Sequence, residues 1–63
     1  MQEHINALIG MTKSQALAYT TEHELSVRIA REDGDDYMLT LDINPNRLNL
    51  IIEWGEVSAV KLG

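Results

Sequence analysis

The stretch that decides the fold is residues 30–46, AREDGDDYMLTLDINPN. It lies between two runs of alternating apolar and polar residues, has no helical pattern, and contains few turn signals. Connections this long are uncommon in compact domains unless they carry function or are disordered. Its middle, YMLTLDI at positions 37–43, holds large apolar residues where a solvated loop would hold small polar ones. We therefore predict a display loop, a segment presented to a partner.

The two flanking runs have the period of half-buried strands. Before the loop, the apolar residues Leu25, Val27 and Ile29 alternate with small or polar ones, and an Asp-Gly turn signal follows at 33–35. After the loop, the pattern is clearer. Successive side chains alternate across a strand, so that Leu48, Leu50 and Ile52 share one face.

Arg47 and Asn49 must then lie on the opposite face of that second strand, away from the core. Beyond it, Trp54-Gly55-Glu56 has the composition of a turn, and residues 57–62 are predicted to return as a short final strand ending at Gly63. The chain contains no internal repeat and no low-complexity segment.

One helix is predicted ahead of the strands. Thr12-Lys13-Ser14-Gln15 matches a capping box, in which the Thr12 hydroxyl accepts from the Gln15 amide while the Gln15 side chain reaches back. Gly10 ends the segment before it, and no proline interrupts the run to about residue 24. A thin stripe at helical spacing supplies the buried side: Ala16, Tyr19, Thr20 and His23. The sequence thus predicts an α+β domain spanning residues 1–63, with one α-helix packed on a small mixed β-sheet and a long extended loop between two strands.

Composition excludes several classes of function. The chain has 63 residues, no cysteine and a formal net charge of -5, with five Lys and Arg against ten Asp and Glu. We therefore expect no disulfide, thiol catalysis or cysteine zinc site, and no nucleic-acid partner, because phosphate binding depends on clustered cations. No apolar run approaches membrane-spanning length, so we expect no membrane partner. The beginning of the sequence has no export signal, which predicts a cytoplasmic protein as written, or a secreted one if a leader has been removed.

Two groups of residues could suggest a metal site, but neither has the ligand spacing that such a site requires. Asp33-Gly34-Asp35-Asp36 places carboxylates close together but lacks the twelve-position calcium loop that ends in Glu, and Asp-Gly clusters usually form turns. His4 and His23 are far apart in sequence and have no neighbouring ligands. We expect no metal and no cofactor. The chain also shows no nucleophile, base and oxyanion arrangement at recognisable spacing, which predicts that it is not an enzyme.

Several segments together resemble the potato inhibitor I family of serine-protease inhibitors, with its eglin-type and chymotrypsin-inhibitor-type members. They are the ALIG run at 7–10 with the capping box that follows, TLD at 40–42, PNRLNL at 45–50, and the terminal Leu62-Gly63. The resemblance covers residues 5–63 without large insertions and is closest to the microbial members. It implies a rigid loop that enters a protease cleft as a substrate would.

The resemblance also implies roles for individual residues. Leu41 would be the primary specificity residue and Leu41-Asp42 the reactive bond, with Thr40 before it and Ile43 after it. An apolar side chain such as Leu41 suits the hydrophobic slot of chymotrypsin, elastase or subtilisin-type enzymes. Two basic residues of the family brace the loop from the next strand, and here Arg47 and Asn49 stand at those positions. Arg47 is expected to bond to Asp42, and the Gly63 carboxylate to pair with Arg47.

Each residue also has an ordinary interpretation. Leu41 would then be a loop residue packed locally, and Arg47 and Asn49 a solvated strand face. A different class of function also remains open, a noncatalytic interaction or assembly module on the same fold, with the loop or a strand edge pairing with another protein or with itself. A third reading is an acidic decoy for a basic surface, which requires the acids to form one patch. The sequence does not decide the oligomeric state, although a monomer is favoured.

Overall fold

The computed structural model describes residues 1–37 and 44–63, and it contains two helices followed by a four-stranded mixed sheet. The helices are α1 (Gln2–Leu8) and α2 (Lys13–Glu22). The strands are β1 (Val27–Glu32), β2 (Asp35–Asp36), β3 (Leu48–Glu53) and β4 (Glu56–Leu62), in the spatial order β2-β1-β3-β4. β1 and β3 run parallel in the centre, and the two outer strands run antiparallel to their neighbours.

The predicted helix is α2, and its capping box is confirmed. The Thr12 hydroxyl accepts from the Gln15 amide at 3.1 Å, while the Gln15 side chain accepts from the Thr12 amide at 3.0 Å. The helix ends at Glu22, two residues before the predicted end. Glu24 then takes a left-handed conformation (φ 55°), and the Leu25 amide bonds back to the Thr20 carbonyl at 2.8 Å. Left-handed residues of this kind commonly close helices.

The prediction of a single helix is wrong, because α1 precedes α2. This helix has only seven residues and no side-chain cap. Helices this short are marginal in water by themselves, and therefore the sequence gives little local signal for them. Tertiary packing stabilises α1, since Leu8 is fully buried and Ile5 lies against the core. The His4 ring nitrogen Nδ1 also lies 2.7 Å from the Tyr19 hydroxyl of α2.

The core lies between the helices and one face of the sheet. The predicted alternation in β3 is confirmed, since Leu48, Leu50 and Ile52 are all fully buried. Val57 of β4 and Ala16 of α2 complete the buried set with Leu8. Among the described residues no helix is long and apolar enough to span a bilayer.

The segment between the predicted strands is shorter than the sequence indicated. β1 extends to Glu32, and the chain turns at Asp33-Gly34 into the two-residue strand β2, which pairs Asp36 with Arg31. The pairing was missed because Asp has low strand propensity. What remains between β2 and β3 is residues 37–47. The predicted reactive positions, Thr40, Leu41, Asp42 and Ile43, lie outside the described residues.

Both hairpins use two-residue turns in which both residues have positive φ. Asp33 and Gly34 have φ of 52° and 84°, and Trp54 and Gly55 have 55° and 78°. This is the geometry of type I′ turns, which favour Asn or Asp followed by Gly because those residues tolerate the left-handed region. Trp54 does not share that preference, and its side chain is 93% exposed.

Replacing Trp54 by Asn is expected to raise the free energy of unfolding by about 1 kcal/mol, because it removes the cost of a bulky residue in the left-handed region. The exposed indole gives little packing to lose. Urea denaturation followed by circular dichroism measures the change. Trp54→Ala is the control, since Ala also removes the indole but has no left-handed preference; equal stability of the two variants would contradict the prediction.

Candidate functional site

The candidate site lies on the polar face of β3, at the first residues of that strand. Asn49 is nearly buried and points away from the helices, as the strand alternation predicted. Its Nδ2 donates to the main-chain oxygens of Lys61 at 3.1 Å and Gly63 at 3.0 Å. The Asn49 side chain therefore ties β3 to the end of β4.

Arg47 approaches the same oxygen. Its guanidinium donates to the Gly63 main-chain oxygen through Nε at 3.3 Å and through Nη2 at 3.2 Å, a forked contact. The Gly63 amide in turn donates to the Arg47 carbonyl at 3.0 Å. The structure thus brings together the three residues that the sequence proposed as loop support, Arg47, Asn49 and Gly63. Their action on the loop remains a prediction, because the loop positions lie outside the described residues.

Sequence reasoning missed a fourth member, Arg28. It lies on β1 opposite Asn49 in the parallel register, and its Nε donates to Asn49 Oδ1 at 2.5 Å. Its Nη2 lies 3.4 Å from the Gly63 oxygen. The alternation around Val27 and Ile29 placed Arg28 on the open face, but nothing local indicated which strand would lie beside it. We call Arg28, Arg47, Asn49 and Gly63 the brace cluster.

The brace cluster concentrates positive charge in an acidic protein. Two of the five Lys and Arg side chains converge on one main-chain oxygen, in a half-buried place beside β3. Charge-assisted bonds to a carbonyl or carboxylate are shorter and stronger than neutral ones, and partial burial reduces their screening by salt. The arrangement can hold an additional acceptor, a carboxylate or a main-chain carbonyl, on the open side of the sheet.

The chain is anchored just before and just after the positions that are not described. Before them, the Tyr37 amide donates to the Ala30 carbonyl at 3.0 Å, and the Tyr37 hydroxyl donates to Glu32 Oε1 at 2.8 Å. After them, the Arg47 amide donates to the Asn44 carbonyl at 3.0 Å across a turn. The Asn44 side chain accepts from the Asn46 amide at 3.2 Å, a local bond typical of Asx turns.

Glu32 links the first of these anchors to α2. The same carboxylate oxygen that accepts from Tyr37 lies 2.9 Å from Lys13 Nζ. The hydrogen bonds from Lys13 and then Tyr37 lower the pKa of Glu32 below 4.5, with burial opposing. The bond to Glu32 is also the main cause that raises the pKa of Lys13 above 10.5 and the pKa of Tyr37 above 10.0.

These shifts predict how stability depends on pH. Because the pKa of Glu32 is lowered by folding, its contribution is present above pH 4.5 and is lost as the pH falls through the lowered pKa. The raised pKa of Tyr37 means that its contribution is present below pH 10.0 and is lost as the pH rises through the raised value. Tyr37→Phe is therefore expected to move the pKa of Glu32 back toward 4.5.

NMR titration of the Glu32 carboxyl in wild type and Tyr37→Phe measures that change, and thermal unfolding at several pH values measures its consequence. The exchange Glu32→Gln should flatten the acid limb of the stability curve, while the same exchange at exposed Glu22 should leave it unchanged. An unaltered Glu32 pKa in Tyr37→Phe would show that the phenol bond does not persist in solution.

The acidic run and the two histidines, which the sequence offered as possible metal ligands, lie in different parts of the fold. Asp33, Gly34, Asp35 and Asp36 form the hairpin between β1 and β2. His4 and His23 do come together, with ring centroids 5.1 Å apart, and both contact the Tyr19 ring. Within residues 1–37 and 44–63, no group of three or more His, Asp or Glu is placed to hold a metal ion.

Comparison with known proteins found no family model, no curated protein and no solved structure that matches this chain. The resemblance to the potato inhibitor I family therefore rests on the residues themselves.

Proposed function

We propose that this protein is a substrate-like inhibitor of a serine protease with hydrophobic specificity, of the subtilisin, chymotrypsin or elastase type. Residues 40–43 form the protease-binding loop, with Leu41 in the specificity slot and Leu41-Asp42 as the reactive bond. The fold is then that of the potato inhibitor I family, with the extended binding loop between β2 and β3. A single observation carries the proposal, the convergence of Arg28, Arg47 and Asn49 on the Gly63 oxygen at the start of β3.

The brace cluster matters because such an inhibitor depends on a loop that already has its bound shape. Ordering a loop during binding costs free energy, and a loop ordered beforehand avoids this cost. The Tyr37 anchor holds one end of the loop against β1, and the Asn44 turn orders the chain at the other end, just before β3. Between them, the guanidinium groups of Arg28 and Arg47 supply donors for Asp42 and for loop carbonyls.

The same brace explains how an inhibitor differs from a substrate. A protease cleaves the reactive bond slowly when the two new ends stay in place, because the products remain positioned to rejoin. Arg47 is joined to Gly63 at the end of β4, and Asn49 joins β3 to β4. Both residues follow the reactive bond in the sequence and are attached to the sheet. Holding Asp42 there keeps its new amino group beside the Leu41 carbonyl.

The experiment is inhibition of subtilisin, chymotrypsin and elastase by the purified chain, followed by mass spectrometry of the mixture. Inhibition with slow, specific cleavage between Leu41 and Asp42 supports the proposal. Rapid cleavage there without inhibition would mean that the brace cluster does not hold the loop. Neither inhibition nor cleavage would reject the inhibitor function.

One observation favours the second candidate, a noncatalytic assembly module. β4 is a seven-residue edge strand, and within the part of the chain that the structure describes, its outer side bonds to the segment before α2 at Val57, which pairs with the Gly10 and Met11 main chain. Edge strands of this kind can add another strand. The Leu62 amide faces the open edge, because the next amide along the strand, that of Gly63, donates inward to the Arg47 carbonyl. Self-association that Leu62→Pro weakens, with no effect of Leu41→Asp, would support the module over the inhibitor.

A further inference from the structure

Trp54 is the most exposed apolar residue that the described part of the chain contains. Its side chain is 93% exposed, although it is the only tryptophan of the protein. An indole buries a large area when a partner covers it, and tryptophan is enriched among residues that dominate binding energy at interfaces. Trp54 also lies in the two-residue turn that joins β3 to β4.

A second turn lies directly beside it. The Trp54 amide donates to Asp33 Oδ1 at 2.8 Å, and the Asp33 amide donates to the Ile52 carbonyl at 2.8 Å. These two bonds join the β1-β2 turn to the β3-β4 turn. Between the turns lies an open cleft of about 640 Å³. We call this the turn-end surface, and its lining residues are Arg31, Asp33, Gly34, Glu53, Trp54 and Gly55.

Charge at this end of the sheet is strongly negative. Six of the ten acidic residues are in or next to the two turns: Glu32, Asp33, Asp35, Asp36, Glu53 and Glu56. Two cations accompany them and are already paired, Lys13 with Glu32 at 2.9 Å and Arg31 with Asp36 at 3.5 Å. In the described structure, the carboxylates of Asp35, Glu53 and Glu56 have no ion pair.

We propose that the turn-end surface is a second interface, which binds an arginine- or lysine-rich segment of a partner protein. A guanidinium or ammonium group stacks on the exposed face of the Trp54 indole, where the π-electrons attract a cation. Neighbouring basic side chains of the segment pair with Glu53 and the other carboxylates around the cleft. The exposed indole supplies the apolar anchor, and the charge pattern selects basic partners.

This interface is separate from the proposed protease-binding loop. The brace cluster lies at the start of β3 and the turn-end surface at its end. A six-residue strand at about 3.3 Å per residue places the two roughly 17–20 Å apart. The two proposed interfaces share no residue, and Trp54→Asn is therefore expected to leave inhibition by the loop unchanged.

The test uses fluorescently labelled hexa-arginine and hexa-lysine peptides, with hexa-glutamate as the negative probe, titrated with the purified chain and followed by anisotropy. The intrinsic fluorescence of the single tryptophan reports contact at Trp54 directly. We expect saturable binding of the basic peptides with a shift of the tryptophan emission. Trp54→Asn should weaken hexa-arginine binding at least tenfold, and Glu53→Gln about threefold.

Glu22→Gln is the matched control, since it removes one negative charge on α2, outside the turn-end surface. It should change the dissociation constant less than twofold. Equal weakening by Glu53→Gln and Glu22→Gln, or binding without any change in tryptophan emission, would overturn the proposal, because attraction to net charge would then explain the binding. Absence of binding, or concentration-dependent dimerisation that Trp54→Asn removes, would also overturn it. Protease inhibition by Trp54→Asn distinguishes a failure here from a failure of the loop proposal.

Discussion

Leu41→Asp is expected to abolish inhibition of subtilisin and chymotrypsin, raising the inhibition constant by at least about 1000-fold. The proposed specificity slot is apolar and closed to water, and an aspartate in it would be buried without a counter-charge. A 1000-fold change corresponds to about 4 kcal/mol, the size found for dominant interface residues. The free energy of unfolding is expected to change by less than about 0.5 kcal/mol, because the proposal places Leu41 in a binding loop outside the packed core.

Leu41→Lys tests the same position through a gain of inhibition, which a misfolded variant could not show. A lysine suits a trypsin-like slot with a buried Asp, so this variant should lose inhibition of chymotrypsin and acquire inhibition of trypsin. Leu17→Asp serves as the control, because it makes the same exchange on the exposed side of α2. If Leu41→Asp inhibits as well as the wild type, the reactive bond is not Leu41-Asp42.

Arg47→Ala is expected to convert the inhibitor toward a substrate, with cleavage between Leu41 and Asp42 faster by about 10- to 100-fold. The variant loses the forked contact to Gly63 and the proposed donor to Asp42. Those losses correspond to about 1.4 to 2.7 kcal/mol by the tenfold rule, which matches the range for hydrogen bonds to charged groups. Arg28→Ala should act in the same direction, because Arg28 holds Asn49 and reaches the same oxygen.

Arg31→Ala is the matched control for Arg28→Ala. Both residues belong to β1, but the ion pair that the described structure gives Arg31 is with exposed Asp36 at 3.5 Å, a contact worth little. The double variant of Arg28 and Arg47 should lose less than the sum of the two single losses, since both act on Gly63. Inhibition and hydrolysis that stay unchanged in Arg47→Ala would remove Arg47 from the mechanism.

Much of the brace cluster was accessible from the sequence because a strand has a period of two. The apolar triplet Leu48, Leu50 and Ile52 placed Asn49 on the opposite face, whatever the neighbouring strands are. Arg28 was not accessible, because its partner Asn49 is 21 positions away and the two meet through the parallel register of β1 and β3. That register is set by packing of the whole sheet, and β1 and β3 also shift register between Ile29 and Arg31.

The clustering of acidic residues at the two turns is a second feature that the sequence could predict only in part. The Asp-Gly dipeptide predicted a turn, and the composition predicted an acidic protein. The concentration of acids around Trp54 follows from two turns 21 positions apart that close the same end of the sheet and are joined by the Trp54-Asp33 bond. Patch formation of this kind depends on which strands are neighbours.

By itself, the sequence determined the features that arise within a few residues: the capping box at Thr12, the buried face of β3, and the turns that contain Gly34 and Gly55. Backbone sterics and side-chain period act over that range. Only the tertiary structure decided the existence of α1, the strand order and the meeting of Arg28 with Gly63, 35 positions apart. Those features depend on the free energy gained when one apolar face of the sheet is buried under two helices, which no isolated segment can gain.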